Sequence, residues 1–409
     1  MTRHPITVEL ARGKSKPFWL GHPWIFSGAI KQVKGEVGDT GGACLVVDER
    51  GNALGSGFYN PHGRIAVRMT EHRRSTDLVY EAQPFPKLLR ERLEAAMSRR
   101  VMMGLPGEGT DAFRLVNAEG DLLPGLVVDM LGPVASVQLN ARAMYEQRDL
   151  VAREVRAVTG AETIALTVTE TASRLEVIPV MNEVYGPDGK PTKDMQVDVV
   201  ENGVRYRLHL ETSQKTGFYV DQRENRRRFA ELCGGQRVLD AYCYVGGFGI
   251  AAARAGATRV TQVDSSRAAI SQAQENAALN GVGERVEAHA VDAVNFLKEA
   301  QAKGQQWDRI VCDPPKLAQG RGHVDEALKK YARINTLAMG ALAPGGLMLT
   351  CSCSRHVSED AFARMLTESG HRLRKTVQVF AQWSQPEDHP ILSVAPEGRY
   401  LKAFLIGVS

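Results

Sequence analysis

From Arg237 to Thr350 the chain repeats one unit: a short apolar run, a break, and a stretch with helical spacing. The runs are R-V-L-D from Arg237, R-V-T-Q-V-D from Arg259, R-V-E-A-H-A from Arg285, D-R-I-V-C from Asp308 and G-L-M-L-T from Gly346. Helices are predicted between them, at 266–280 and 323–342 among others. This alternation specifies an α/β domain with a parallel sheet wound on both faces. Two further runs, L-R-K-T-V-Q-V-F from Leu373 and R-Y-L-K-A-F-L-I from Arg399, have only loop between them. One of the two is expected to insert antiparallel, completing a seven-stranded sheet.

The composition differs upstream. To about Arg74 the chain is rich in glycine and β-formers, with short strands predicted at A-C-L-V-V-D from Ala43 and R-I-A-V-R-M from Arg64. An all-β module is expected at 1–74. Leu88, Leu89, Leu93, Ala96 and Met97 give 85–103 a helical spacing, followed by strand-like runs near 113, 125 and 134. A second helix at 144–158 and a run from Thr163 complete an expected α+β domain at 75–185. The third domain is expected at 186–409, opening with a β-hairpin at 197–210 around Asn202-Gly203.

No apolar run approaches the ~18 residues of a membrane span. The six cysteines (44, 233, 243, 312, 351 and 353) form neither zinc knuckles nor a disulfide framework, so a reducing cytoplasm and no metal are expected. A net charge of +4 does not by itself mark a nucleic-acid binder. Its arrangement says more: Arg12, Lys14 and Lys16 precede Trp19, and Arg73 and Arg74 close the first module, weak support for an RNA partner.

The chemistry-bearing residues gather at strand ends. The first strand of the α/β domain runs into L-D-A-Y-C-Y-V-G-G-F-G, containing Asp240, Tyr242, Gly246 and Gly247. Glycines between a strand and a helix let the backbone approach a ligand, but the spacing is not G-x-G-x-x-G and no Walker lysine follows. The second strand ends at Asp264-Ser265, where an acid suits a ribose diol, and the third at Asp292, suited to an adenine amino group. Each alone reads as a helix cap; at three successive strand ends they read as a nucleoside rim, for which S-adenosylmethionine is the leading candidate.

The fourth strand runs into C-D-P-P-K (312–316) and the fifth into T-C-S-C-S (350–354). Methylating cytosine at C5 requires a thiolate to add to C6 and push electron density onto C5. Cys353 is the expected nucleophile, with Cys351 one step deeper in the sheet. A free thiol has a pKa near ~8.5, so a cation is needed, and Arg355 and His356 are the sequence candidates. Asp313 can bond the N3/N4 edge of cytosine, the two prolines aim it into the cleft, and Lys316 can contact phosphate or base.

At these residues the chain resembles the ribosomal RNA large subunit methyltransferase I family. G-H-P-W-I-F-S-G from Gly21, with His22 and Trp24, is similar to the start of its PUA module, and F-R-L-V-N-A-E-G-D-L-L-P-G from Phe113 to its middle domain. Q-K-T-G-F-Y-V-D-Q-R (214–223) is similar to the segment that opens the catalytic domain and helps hold the cofactor, which implies roles for Gly217, Tyr219, Asp221 and Arg223. The resemblance covers nearly the whole chain. It implies a Rossmann-like class I methyltransferase, S-adenosylmethionine as donor, cytosine in 23S rRNA as acceptor and, in many members, a homodimer. Other RNA cytosine methyltransferases carry a second cysteine after the acid; here D-P-P-K stands there, implying a single-cysteine mechanism. Two other readings compete: base methylation at nitrogen, which needs no thiol, and an RNA-binding assembly factor with a vestigial methyltransferase domain.

Overall fold

The computed structural model describes residues 6–73, 80–192, 196–209, 217–318 and 320–409; Arg74 and the Q-K-T of 214–216 lie outside the described residues. The first sheet contains β1 (Ile6–Leu10), β2 (Trp24–Phe26), β3 (Ile30–Gly35), β4 (Gly42–Val47), β5 (Ala53–Tyr59) and β6 (Ile65–His72), in the order β2-β6-β5-β4-β1-β3. The short helix α1 (Lys16–Trp19) bridges β1 and β2. Ile6, Val8, Leu10, Ile25, Cys44 and Val46 form its core. The alternating side chains of β1 and β4 supply it, because a strand presents every second residue to one face.

The middle layer starts with α2 (Phe85–Met102), whose buried face is Leu88, Leu89, Leu93 and Ala96. Its sheet comprises β7 (Ala112–Asn117), β8 (Leu126–Leu131), β9 (Val134–Leu139), β10 (Thr163–Val168) and β11 (Met181–Tyr185), in the order β11-β10-β9-β8-β7. The expected single helix at 144–158 is two, α3 (Arg142–Glu146) and α4 (Arg148–Thr159), and α5 (Glu170–Glu176) follows β10. These crossovers make β9 and β10 parallel in an otherwise antiparallel sheet. The hairpin is β12 (Gln196–Glu201) and β13 (Val204–His209). Asn202 and Gly203 turn it with φ of 50° and 76°, the left-handed pair a two-residue hairpin needs.

After α6 (Arg223–Ala230), the α/β layer runs β14 (Arg237–Ala241), α7 (Gly247–Arg254), β15 (Arg259–Asp264), α8 (Arg267–Leu279), β16 (Val286–Ala290), α9 (Ala293–Ala302) and β17 (Trp307–Cys312). It continues with α10 (Val324–Gly340), β18 (Leu342–Ser352), α11 (Glu359–Arg372), β19 (Val377–Trp383) and β20 (Lys402–Val408). The strand order is β16-β15-β14-β17-β18-β20-β19, and β20 alone runs antiparallel to its neighbours β18 and β19. This is the expected seven-stranded α/β sheet with one inserted strand. Side-chain oxygens of Ser266, Asp292 and Ser358 cap α8, α9 and α11 by accepting from the backbone three residues on.

The layers are joined by buried charge. Asp388, from the β19–β20 loop, accepts from Arg114 N at 2.9 Å and Arg223 Nη1 at 2.6 Å, while its carbonyl accepts from Arg100 Nη2 at 2.6 Å. Arg100 also grips Asp121 through two bonds of 2.6 and 2.7 Å. Burial alone would raise the Asp388 carboxyl, but His389 and Arg223 hold it well below the usual range. Among the described residues no helix is long and apolar enough to cross a membrane.

Candidate active site

β14, β15, β17 and β18 are parallel, so their carboxyl ends share one edge. The chain leaves β14 towards β15 and β16 and returns on its other side at β17, which opens a crevice at the point of reversal. Beyond β14, Tyr242, Tyr244 and Gly246 have φ of 66°, 51° and 87°. For the two tyrosines this left-handed conformation is unfavourable, on the order of 1 kcal/mol each. Hydrogen bonds hold it: Tyr242 N and Cys243 N donate to Val263 O at 2.8 and 3.1 Å, and Tyr244 N to Asp264 Oδ2 at 3.0 Å. A Cβ on Gly246 would lie 2.8 Å from Gln262 Nε2, and one on Gly249 2.5 Å from the same atom. These glycines are therefore demanded by the packing of α7 onto β15.

Asp240 is buried beneath the loop, its Oδ2 accepting from Gly249 N at 2.7 Å. Burial pushes its carboxyl up to about 7, with Asp313 and Asp264 adding to the effect. Asp264 Oδ1 accepts from Ser266 N at 2.9 Å; Ser265 beside it is exposed. Asp292, also exposed, accepts from Asn295 N at 2.9 Å as the cap of α9. The structure thus brings Asp240, Tyr242, Gly246, Gly247, Asp264, Ser265 and Asp292 to the ends of three adjacent strands.

The segment entering α6 closes over this edge. Tyr244 Oη donates to Gly217 O at 3.2 Å, and the Tyr219 and Tyr244 rings meet edge to face at 5.4 Å. Tyr400 Oη donates to Asp221 Oδ2 at 2.7 Å, while Asp221 Oδ1 is buried without a hydrogen-bond partner among the described residues. Arg223 turns away into its ion pair with Asp388. Arg226 anchors the segment instead. It forks onto Glu201 with two bonds of 2.6 Å, donates to Tyr219 O at 2.8 Å and lies 4.5 Å from the Phe218 ring centroid.

On the far side of the crevice, Asp313 follows β17, with its N–H donating to Ala241 O at 3.3 Å. Gln222 Nε2 donates to Asp313 Oδ2 at 2.9 Å and is itself oriented by Asn225, which donates to its Oε1 at 2.6 Å. Pro314 is buried, Pro315 and Lys316 exposed. Cys353 lies one residue beyond β18 and is half-buried, whereas the other five cysteines are buried. Burial, with Asp313 adding, pushes the Cys351 thiol well above its ordinary value. Ser352 and Ser354 both bond the Tyr331 hydroxyl at 3.0 Å, and Ser354 Oγ accepts from Leu317 N and Ala318 N at 3.2 and 3.1 Å. The loop after Asp313 is thereby tied to the loop after Cys353.

Arg355 and His356 are exposed; a buried cation beside the end of β18 is Lys402 of β20, which sequence reasoning missed. Its Nζ donates to Ser354 O at 3.0 Å and Tyr400 O at 2.8 Å. Burial lowers its pKa to about 8, against the attraction of Cys353 and Glu359. Gln222, Tyr331 and Tyr400 were missed as well. The available signal was one lysine in the apolar run L-K-A-F-L-I, where a charge is out of place unless paired.

In the first sheet Arg12, Lys14 and Lys16 are exposed around Trp19, which is itself 45% exposed. His22 and Trp24 are half-buried, with Trp24 N donating to His22 Nδ1 at 3.2 Å. Trp24 Nε1 donates to Glu119 Oε1 at 2.8 Å, which commits that indole to the middle layer. Arg73 N donates to Leu54 O at 2.9 Å at the end of β6.

Comparison with known proteins fits this geometry. Residues 125–406 match the model of an S-adenosylmethionine-dependent methyltransferase, and 8–71 that of a PUA-like domain. The ribosomal RNA large subunit methyltransferase I of Shewanella frigidimarina is 32% identical over 405 residues, covering 98% of this chain and 99% of that protein. Its namesake from Photobacterium profundum is 31% identical, covering 97% and 98%. Among solved structures, a chain described as a methyltransferase complexed with SAH superimposes with a TM-score of 0.81 at 18% identity, covering 98% of this chain and 99% of that one. A methyltransferase from Streptococcus mutans does so with 0.80 at 18% identity and the same coverage. A PUA-like sheet, a middle domain and a seven-stranded sheet with an acidic rim, matched over nearly their full length, place the chain in the ribosomal RNA large subunit methyltransferase I family of S-adenosylmethionine-dependent enzymes.

Proposed function

We propose that the protein methylates C5 of a cytosine in 23S ribosomal RNA in the cytoplasm, through a covalent adduct on Cys353. One observation carries this reading: the half-buried thiol of the chain stands at the same sheet edge as Asp313 and the acidic rim. Tyr219 lies within electrostatic reach of Asp313 and Cys353 alike, which supports a single crevice holding both reactants.

The residues suit the cofactor. Among the described residues Asp221 Oδ1 is a buried acceptor with no donor, a fit for the ammonium of the methionine end. Asp264 would take the ribose hydroxyls and Asp292 the adenine edge, with Gly217, Tyr219, Asp240, Tyr242, Gly246, Gly247 and Ser265 shaping the walls. Bound there, S-adenosylmethionine supplies an electrophilic methyl group.

In this reading the Cys353 thiolate adds to C6 of the flipped base, forming the Sγ–C6 bond and moving the C5–C6 π pair onto C5. C5 then takes the methyl group, its proton leaves to a base, the C5–H pair restores the C5–C6 double bond, and the Sγ–C6 pair departs with sulfur as the thiolate. Asp313, oriented by Gln222, holds the N3/N4 edge and stabilises the protonated adduct. Lys316, exposed beside it, contacts phosphate. Arg12, Lys14, Lys16 and Arg73 add sequence-independent phosphate contacts that position the RNA.

Cys353→Ala should abolish methyl transfer and retain S-adenosylmethionine binding, and Cys351→Ala should keep most activity. RNA bearing 5-fluorocytosine should trap a covalent complex, because fluorine cannot leave as a proton. An active Cys353→Ala enzyme would overturn the covalent reading in favour of methylation at nitrogen.

A further inference from the structure

Lys402 is unusual in its surroundings. It opens β20 directly opposite Ser352 of β18, and the rest of that strand is buried and apolar from Ala403 to Ile406. A lysine in such a run is expensive to desolvate and persists where its charge has work to do. Its ammonium reaches past the end of β18, and two backbone carbonyls, those of Ser354 and Tyr400, hold it there. Ser354 is the residue after Cys353, so the ammonium is fixed against the backbone that carries the thiol. The hydrogen bonds use two of three N–H donors and neutralise none of the charge.

We propose that Lys402 is a positioning residue that keeps Cys353 poised as a thiolate, acting as a fixed, buried positive charge on the nucleophile. This rests on the assignment of Cys353 as the reacting thiol. When Cys353 ionises, its proton goes to solvent and Lys402 remains an ammonium, so no proton passes between the two. The groups that face them come from every neighbouring element. Tyr219 from the segment before α6, Tyr331 from α10 and Cys351 from β18 are within electrostatic reach of the thiol, Asp313 beyond β17 acts on Tyr219 and Cys351 alike, and Glu359 of α11 is within reach of the ammonium. Tyr219, Tyr331 and Cys351 bring no positive charge at neutral pH and the Asp313 carboxylate opposes a thiolate, whereas Lys402 holds a positive charge against the thiol's own backbone. The depressed basicity of Lys402 is the counterpart of this placement: burial opposes the charge and the thiolate favours it.

The test reads the thiol itself and does not require methylation. Iodoacetamide alkylation of Cys353 is followed by mass spectrometry against pH in the full-length protein, with Cys353→Ala as the blank. In the wild type the rate should titrate below the ordinary thiol value of about 8.5. In Lys402→Met it should titrate higher, with alkylation near pH 7 slowed roughly tenfold and the plateau at high pH unchanged. Lys402→Arg, which keeps the charge, should restore most of the rate. A wild-type thiol that titrates at or above the ordinary value overturns the proposal, as does a Lys402→Met profile that matches wild type. The wild-type measurement decides even if the variants fail to fold. Unimpaired methylation by Cys353→Ala would remove the covalent mechanism and leave the measured thiol–ammonium coupling intact, so the two failures are distinguishable.

Discussion

Arg226 offers a sharp test of what holds the cofactor segment in place. Its guanidinium forks onto Glu201 with two 2.6 Å bonds, and the two side chains are 5% and 2% exposed. The same fork donates to Tyr219 O and stacks over Phe218, so it joins the β12–β13 hairpin to the segment that closes over the crevice. Arg226→Met leaves a buried carboxylate with no cation; Glu201→Leu leaves the converse. Breaking one side of such a pair is destabilising by about 3–5 kcal/mol. Removing both charges at once leaves neither uncompensated, so the double variant should recover most of the loss. Urea unfolding of the α/β layer, followed through Trp307 and Trp383, measures the cycle. Arg226→Met should also bind S-adenosylmethionine more weakly, because Tyr219 loses its tether. Single variants within about 1 kcal/mol of wild type, or a double variant equal to the sum of the singles, would refute the reasoning, since independent residues add.

Asp264→Ala should weaken S-adenosylmethionine binding by about tenfold to a hundredfold, the loss of a charge-assisted contact of about 1.5–3 kcal/mol; unchanged calorimetric affinity would remove Asp264 from the site. Asp240 has its folded pKa raised to about 7, so the stability it lends is present below the unfolded carboxyl value and lost as pH rises through about 7. Asp240→Asn should flatten that slope, and an identical pH–stability curve would contradict the assignment. Replacing Arg12, Lys14 and Lys16 together by Glu should weaken RNA binding and reduce its salt dependence, because each neutralised phosphate contributes about 0.7–0.9 to the slope of log K against log salt; an unchanged slope would move the RNA path elsewhere. Naked large-subunit RNA should be methylated faster than the finished particle, since the target base must leave its stack to enter the crevice; equal rates on the two would refute this.

The α/β layer was legible because each parallel strand carries a short apolar run and a helix follows it, α8 and α9 being opened by the capping residues Ser266 and Asp292. That one of the last two strands inserts antiparallel was legible too, from the loop that replaces a crossover helix, whereas the structure alone tells that it is β20. The acids at strand ends were readable for the same reason: a strand fixes where the next side chain stands. What could not be read were the partners from distant sequence. Arg223 stands in the motif that resembles the cofactor segment, yet its charge is committed to Asp388, 165 residues away. The cation for Cys353 was sought in Arg355 and His356 because they are adjacent, whereas Lys402 arrives from a strand 48 residues beyond Ser354. Gly246 and Gly247 read as room for a ligand; that Gly246, with Gly249, also leaves room for Gln262 could not be read. Sequence spacing reports local geometry, and these contacts are set by tertiary packing.

The place of β20 has a consequence for synthesis. It lies between β18 and β19, although the ribosome makes it after both. A nascent chain that has reached only β19 already carries the glycine turn, Asp264 and the thiol of Cys353. It lacks Asp388 to neutralise Arg223, Tyr400 to engage Asp221, and Lys402 to face the thiol. Threading the late strand into the open seam beside β18 therefore assembles the sheet, the domain junction and the reactive centre in one event. An interrupted chain is left with an incomplete sheet and without the three side chains that this strand and the loop before it bring to the edge of β18.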